Sequence, residues 1–342
     1  MAVNGRRGLR PTLEEVAARA GVGRGTASRV INGSQRVSDR TRTAVEEAVA
    51  ELGYVPNRAA RALAGHRTDA IALVVPEAQT RLFAEPYFSD IVRGVGAELA
   101  GTDLQLLLTL IRTAEERQRF AQYLRAQRVD GVLVVSVHAH DPLPDLLAEL
   151  GVPAVLSGRR SDLEPVSYVD SDNVGGARTA VAHLLATGRR RVATITGALD
   201  MHVARCRLDG FHQALERAGV ARADRLVAHA DFTEDGGRRA MAGLLEREPG
   251  LDAVFAASDV MAAGALAALR AAGRRVPEDV ALVGFDDSAI ARHTDPALTT
   301  VRQPVEEMGR AMARVLLAEI GAPSPVRRHV VLDTRLVLRE SA

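Results

Sequence analysis

The 342-residue chain is predicted to be α/β, with a small helical head followed by two doubly wound parallel-sheet lobes. Three observations predict it. Residues 1–68 carry 12 Arg against 6 acidic residues, whereas the remainder carries 32 against 37, so a basic head precedes a mildly acidic body. The first sixty residues read helix, glycine turn, helix, loop, helix. From residue 69 onward, buried strands alternate with amphipathic helices.

In the head, GVGRGTASRVINGS (21–34) sets three glycines beside arginines, which suits either a nucleotide phosphate or the phosphates of DNA. A dinucleotide-binding glycine loop must follow a buried strand that aims the turn at the pyrophosphate. Here PTLEEVAARA precedes it. Thr12 can cap a helix with Glu15 reaching back, and Leu13, Val16, Ala17 and Ala20 recur at i, i+3, i+4 and i+7. Gly21 permits a tight turn, RGTASRVIN forms a second helix stopped by Gly33, and a third runs from Ser38 to Gly53 on an apolar face of Val45, Ala48, Val49 and Leu52. With its positive charge this is a helix-turn-helix module whose second helix enters the major groove.

On that helix Arg24 and Arg29 are the candidates for reading guanine, each worth about 1–3 kcal/mol of discrimination when bidentate. Thr26, Ser28 and Asn32 are candidates for phosphate contacts, and Thr12 belongs to the same DNA-facing set. The stretch after Pro56 reaches Leu63 in about two turns, and isolated helices shorter than about 12 residues are marginal in water. A hinge over 57–68 is therefore expected, frayed when free and helical on DNA. Its Asn57, Arg58 and Ala60 would lie near the duplex, with Leu63 wedging a minor-groove base step.

Strands are predicted at 70–76, 104–110, 130–136, 191–197, 253–258 and 279–285, and helices at about 89–100, 115–127, 174–187, 205–218, 234–247 and 260–272. Apolar runs alternating with helices imply parallel sheets covered on both faces. Ligands bind outside the carboxyl ends of such strands, so the informative polar residues are Ser136, His138, Ser157, Arg159, Asp170, Asp200, Met201, Ser258, Asp259, Asp286 and Asp287. Aspartates and arginines there suit a polyhydroxylated ligand. An aromatic face for a sugar ring is expected from Tyr87 and Phe88 in EPYF.

Other classes fall away. No apolar run approaches the roughly 18 residues of a membrane span, and the first residues lack a signal peptide's apolar stretch, so a cytoplasmic protein is expected. The single cysteine, Cys206, excludes an intramolecular disulfide or a thiolate zinc cluster. No nucleophile elbow, P-loop or zinc signature appears, and the adjacent Asp286 and Asp287 on a strand point to opposite faces. No enzyme, cofactor or metal is expected, although His138 and His140 could form a metal pair if a third ligand were near.

The run A-G-V-x-x-x-T-x-S-R-V-x-N-G, followed by R-V-S and L-G-Y-x-P-N, resembles the head and hinge of the lactose-repressor (LacI) family, and the similarity continues to the C-terminus. The resemblance implies a head over 10–56, a hinge over 57–68 and an effector-binding and dimerisation core over 69–342, built as two periplasmic-binding-protein lobes joined by three crossovers. The lobes would comprise about 69–172 with 302–325, and 173–301 with 326–342. It further implies that Arg207 grips effector hydroxyls, that Ser258 and Asp259 form the next contact, that Asp286 lies in the pocket and that Gln303 sits near a crossover. Ser258 replaces the family's commoner Asn, Gly23 stands where an N-capping Ser is usual, and Gly25 occupies a base-reading position without a side chain.

The segments RPTLEEVAARAGVGRGT, FAEPYFSDIVRGVG, RVDGVLVVSVHAHDPLPDLL and DFTEDGGRRAMAGLL are similar to those of actinobacterial cellobiose-utilisation repressors. This implies a homodimeric repressor on a pseudo-palindromic operator, released by cellobiose or a short β-glucan fragment. A different disaccharide, or a sugar phosphate held by two of Arg159, Arg205 and Arg207, is the alternative effector. A sugar-binding protein without DNA function is the more distant one.

Overall fold

The computed structural model of the protein describes residues 11–31, 34, 36–54, 68–77, 85–322 and 326–342. The chain divides into two compact units between Asp69 and Ala70. The first holds three helices, α1 (Leu13–Arg19), α2 (Arg24–Ile31) and α3 (Asp39–Leu52). Thr12 opens α1 with a reciprocal cap: its backbone N–H donates to Glu15 Oε2 at 2.8 Å, and Glu15 N–H donates to Thr12 Oγ1 at 3.3 Å. Gly21 makes the turn to α2 at φ 65°, which a Cβ would disfavour. Ser38 precedes α3 as expected, but its hydroxyl pairs with Thr41 Oγ1 at 2.9 Å instead of capping the backbone. Val16, Ala17, Ala27, Val30, Val45 and Ala48 bury one small core, with Val49 and Leu52 packed against it. Asn32 and the hinge candidates Asn57, Arg58, Ala60 and Leu63 lie outside the described residues.

The second unit contains two six-stranded sheets. The first comprises β1 (Ala70–Val75), β2 (Gln105–Leu110), β3 (Gly131–Val134), β4 (Ala154–Ser157), β5 (Ser167–Ser171) and β11 (His329–Leu332), in the order β11-β5-β4-β3-β1-β2. The second comprises β6 (Val192–Thr196), β7 (Val227–His229), β8 (Ala253–Ala256), β9 (Ala281–Asp286), β10 (Thr299–Arg302) and β12 (Arg335–Val337), in the order β12-β10-β9-β8-β6-β7. All pairings are parallel except β10 with β12.

Alternation along β1 decides which helices cover which face. Ile71, Leu73 and Val75 pack under α4 (Pro86–Leu99) and α12 (Val305–Ile320), whereas Ala70, Ala72 and Val74 face α5 (Ala114–Arg125) and α6 (Leu143–Glu149). The second sheet is sandwiched likewise. Ile195, Val254 and Leu282 lie beneath α9 (Glu234–Arg247) and α10 (Asp259–Ala271), and Val192, Phe255 and Val283 beneath α7 (Asn173–Ala186) and α8 (His202–Arg217). Each such buried side chain contributes roughly 1.5–3 kcal/mol. Glycines let paired helices touch backbone to backbone: a Cβ on Gly94 of α4 would lie 2.0 Å from the Glu306 carbonyl oxygen of α12.

The expected strands and helices of this unit all form, with ends shifted by a few residues. Structure adds β4, β5, β7, β10, β11 and β12, together with α6, α11 (Ala289–His293) and α12. The chain passes between the sheets after β5, at 303–304, and at 333–334, because β11 extends the first sheet beside β5. The last passage therefore comes later than the expected 325, and residues 329–332 belong with the first lobe.

Candidate functional site

On α2, helical phase sends Ala27 and Val30 into the head's core and leaves Arg24, Gly25, Ser28 and Arg29 on one arc. Arg24, Gly25 and Arg29 are exposed, and Thr26 and Ser28 are half-buried. Arg24 Nε donates to Glu14 Oε1 of α1 at 2.8 Å, so the exposed guanidinium is held from the neighbouring helix. Gly25 has open space around its missing Cβ, so a larger side chain would fit there without a clash. Arg19 and Glu51 tie α1 to α3 at 2.5 Å.

In the second unit the carboxyl ends of both sheets face one cleft enclosing about 960 Å³, its open mouth included. Eleven sequence-predicted residues line it: Tyr87, Phe88, Ser136, Ser157, Arg159, Asp170, Met201, Arg207, Ser258, Asp286 and Gln303.

Arg207, on α8, is the centre of its polar network. The side chain is 4% exposed, its Nε donates to Asn173 Oδ1 at 3.0 Å, and its Nη1 donates to the Ala257 carbonyl at 2.5 Å. Asp286 Oδ1 lies 3.5 Å from Nη1, and the guanidinium sits 3.7 Å from the Phe285 ring centroid. Asp286 also accepts from Gln303 Nε2 at 2.7 Å, and Gln303 Oε1 accepts from Ser171 Oγ at 2.8 Å, so the residue at the 303–304 passage bridges the two lobes. Burial raises the Asp286 carboxyl to about 6, although Arg207 opposes the shift.

On the first-lobe side Arg159 Nη1 donates to Asp170 Oδ2 at 2.7 Å, and Tyr87 and Ser157 share a hydroxyl hydrogen bond of 2.5 Å. Burial pushes the Tyr87 phenol up to about 12, so it is neutral at every ordinary pH. Ser136, Phe232 and Asp286 all line the cleft with positive φ, at 59°, 66° and 115°. Strain of this kind clusters at binding sites.

Two expected contacts stand elsewhere. Asp259 is the first residue of α10 and turns under the sheet, where it accepts from Thr300 Oγ1 at 2.6 Å and Ser288 N–H at 2.8 Å and is fully buried. His138 lies at the cleft's edge between Asp200 and Glu77 and does not line it. Ser258 lines the cleft but spends its hydroxyl as the N-cap of α10, accepting from Met261 N–H at 3.2 Å. Among the described residues no group of three or more His, Cys, Asp or Glu side chains is placed to hold a metal ion.

Two residues outside the expected site join it. Asn173 opens α7, where Asp172 supplies the cap to Gly175 N–H at 2.8 Å, and its own amide spans Asp170 and Arg207. Phe232 enters from the second lobe, lying over Gly197 so closely that a Cβ there would fall 2.0 Å from its ring. Phe88, the expected aromatic, is largely consumed by the first-lobe core, with Tyr87 edge-on to it at 5.5 Å.

Residues 12–57 match the model of bacterial regulatory proteins of the lacI family, and residues 181–342 that of a periplasmic binding protein-like domain. The HTH-type transcriptional regulator CelR of Thermobifida fusca is 54% identical over 334 residues, 97% of this chain and 98% of that protein. A solved complex of a transcriptional regulator CelR with cellobiose superposes with TM-score 0.78 at 52% identity, covering 97% of this chain and all of the other. The lac repressor dimer bound to operator and the anti-inducer ONPF gives TM-score 0.83 at 30% identity, covering 97% of this chain and 99% of that one. No helix among the described residues is long and apolar enough to cross a membrane. With the head's exposed α2 face and the cleft between two parallel sheets already in place, these matches establish that the chain belongs to the lacI family of bacterial regulatory proteins.

Proposed function

We propose that the protein is a cytoplasmic, homodimeric transcriptional repressor that leaves its operator when a small neutral sugar, cellobiose or a short β-glucan fragment, fills the cleft. Its targets are then genes of sugar uptake and utilisation. The head over 10–56 reads DNA, the hinge over 57–68 couples, and residues 69–342 bind effector and dimerise. A single three-helix head makes few base contacts, so two heads on a pseudo-palindrome supply the affinity. Effector in the cleft favours one arrangement of the lobes over the other, and the coupling such a difference delivers is about 1–3 kcal/mol.

The observation that carries the choice of effector is the charge pairing in the cleft. Arg159 is neutralised by Asp170 and Arg207 by Asp286, and Asp90 of the lining is itself paired with Arg93 at 2.7 Å. Arg205 is spent on the carbonyls of Leu199 and Arg160 and does not line the cleft. An anionic sugar would find both guanidiniums already paired with carboxylates, whereas hydroxyls can both accept from the guanidiniums and donate to the carboxylates. The cellobiose complex of the related CelR supports the same choice.

A thermal-shift panel of mono- and disaccharides with glucose 6-phosphate tests it. Cellobiose at a hundredfold excess over Kd is expected to stabilise the protein by about 2.7 kcal/mol. Operator fluorescence anisotropy should fall with the same sugar and not with the phosphate. A stabilising phosphate with inert cellobiose would reverse the assignment.

A further inference from the structure

We infer that His138 is a positioning residue for effector capture: it clamps the two lobes together at the cleft's edge by bridging Glu77 of the first lobe to Asp200 of the second. The inference rests on the proposed sugar-responsive reading for its functional consequence and on the geometry alone for the clamp.

His138 follows β3 and Asp200 follows β6, so the contact joins the two sheets. Nδ1 lies 2.6 Å from Asp200 Oδ2 and Nε2 lies 3.0 Å from Glu77 Oε1. A neutral imidazole carries one N–H, whereas two acceptor-only carboxylates on its two nitrogens call for two. The ring is therefore an imidazolium with both protons in use. The backbone repeats the connection, since Ala139 N–H donates to the Asp200 carbonyl at 2.8 Å.

The clamp also touches the cleft without entering it. Ser136, which lines the cleft, donates to the same Glu77 oxygen at 2.6 Å, and Met201, next to Asp200, lines it from the other lobe. Glu77 and His138 lie on the same lobe, so that bond survives if the lobes part, whereas the bond to Asp200 exists only when they meet. Glu77 thus keeps the ring charged, and Asp200 converts the charge into lobe closure. Among the described residues the charged groups facing the ring are Glu77, after β1, and Asp200, after β6; His140 and Asp141 follow on its own loop. Hydrogen bonding to Glu77, then to Asp200, lifts the imidazole from 6.5 to about 9 against a partial desolvation penalty. A raised value means that the contribution is complete below 6.5 and disappears as pH rises through about 9.

The experiment compares wild type, His138→Asn, Asp200→Asn and the double variant by calorimetric titration with cellobiose, and by the lobe-to-lobe distance from fluorescence energy transfer without sugar. Far-ultraviolet circular dichroism and a cooperative thermal melt check that each variant is folded. Each single variant is expected to weaken cellobiose binding about three- to tenfold, a size set by the half-exposed Asp200 carboxylate, and the double variant no further. Wild-type affinity should fall as pH passes about 9, while His138→Asn stays level. Additive losses, or affinity within about twofold of wild type in both singles, would overturn the clamp. If the wild type binds no cellobiose, the effector assignment fails by itself, and the sugar-free distance still decides: unchanged separation in Asp200→Asn overturns the clamp, and widened separation sustains it.

Discussion

The amide of Asn173 holds Arg207 in place: Oδ1 accepts from Arg207 Nε at 3.0 Å while Nδ2 donates to Asp170 Oδ1 at 2.9 Å. The chemistry of the partners fixes the orientation, because only the oxygen can face a guanidinium and only the nitrogen a carboxylate. One side chain at the start of α7 therefore joins a strand end of the first lobe to the guanidinium of the second. Asn173→Ala leaves the buried Nε of Arg207 without that acceptor and should cost about 1–3 kcal/mol of stability. Sugar affinity measured by calorimetry should fall about tenfold or more as Arg207 loses its fixed pose. Affinity equal to wild type would show that Arg207 is held by Asp286 and the Ala257 carbonyl alone.

Gly197 controls Phe232. Since a Cβ at 197 would overlap the ring at 2.0 Å, Gly197→Ala should push the aromatic face out of position without removing it. Offset or edge contacts of aromatic rings carry about 0.5–1.5 kcal/mol beyond burial, so a several-fold loss of sugar affinity is expected, matched by Phe232→Ala. A Gly197→Ala protein with wild-type affinity and a wild-type Phe232→Ala partner would remove the ring from the site.

In the head, Gly25 is exposed with nothing near its missing Cβ, and Arg24 and Arg29 flank it on the exposed arc of α2. Gly25→Gln should remove roughly 1 kcal/mol of helix-propensity penalty and add an amide able to read adenine, changing the preferred operator in a selection from random sequences. Arg24→Ala and Arg29→Ala should each cost about 1–3 kcal/mol at a guanine-containing step. Glu14→Ala, which frees Arg24, should broaden the selected base at that step more than it lowers total affinity. An unchanged selected sequence for Gly25→Gln would take position 25 out of the groove.

The crossing of α4 and α12 admits no Cβ at Gly94, where one would lie 2.0 Å from a backbone oxygen, nor at Gly309, where it would lie 2.4 Å from the Ile91 carbonyl. Neither neighbour can yield without moving a helix. Gly94→Ala and Gly309→Ala should each destabilise the second unit by about 1–3 kcal/mol in chemical denaturation, with the head's operator contacts unaltered. Equal or greater stability would mean the helices separate cheaply.

Periodicity and turn chemistry are local properties, and they were legible. The Thr12–Glu15 cap, the turn at Gly21, the six long apolar strands and the six helices between them follow from residues a few positions apart. Short elements without a period were not: β7 has three residues, and β12 three, and only their neighbours in the sheet make them strands. The stripe of Met308, Met312, Val315 and Leu316 in α12 was readable in the same way as the others, but its place on the first sheet depends on a chain passage that no local pattern marks.

By itself the sequence determined the basic helical head, the two parallel-sheet lobes and the strand ends where a ligand would be met, because alternation, helical phase and charge are written residue by residue. Tertiary structure decided which of those ends converge. It turned Asp259 under the sheet to Thr300 while leaving its neighbour Ser258 in the cleft, drew His138 aside to Glu77 and Asp200, and brought in Asn173 and Phe232 from segments that read as a helix start and a loop. The reason is that a side chain's partners across a cleft come from segments tens to hundreds of residues away, so their distance is set by how the two sheets pack and where the chain passes between them.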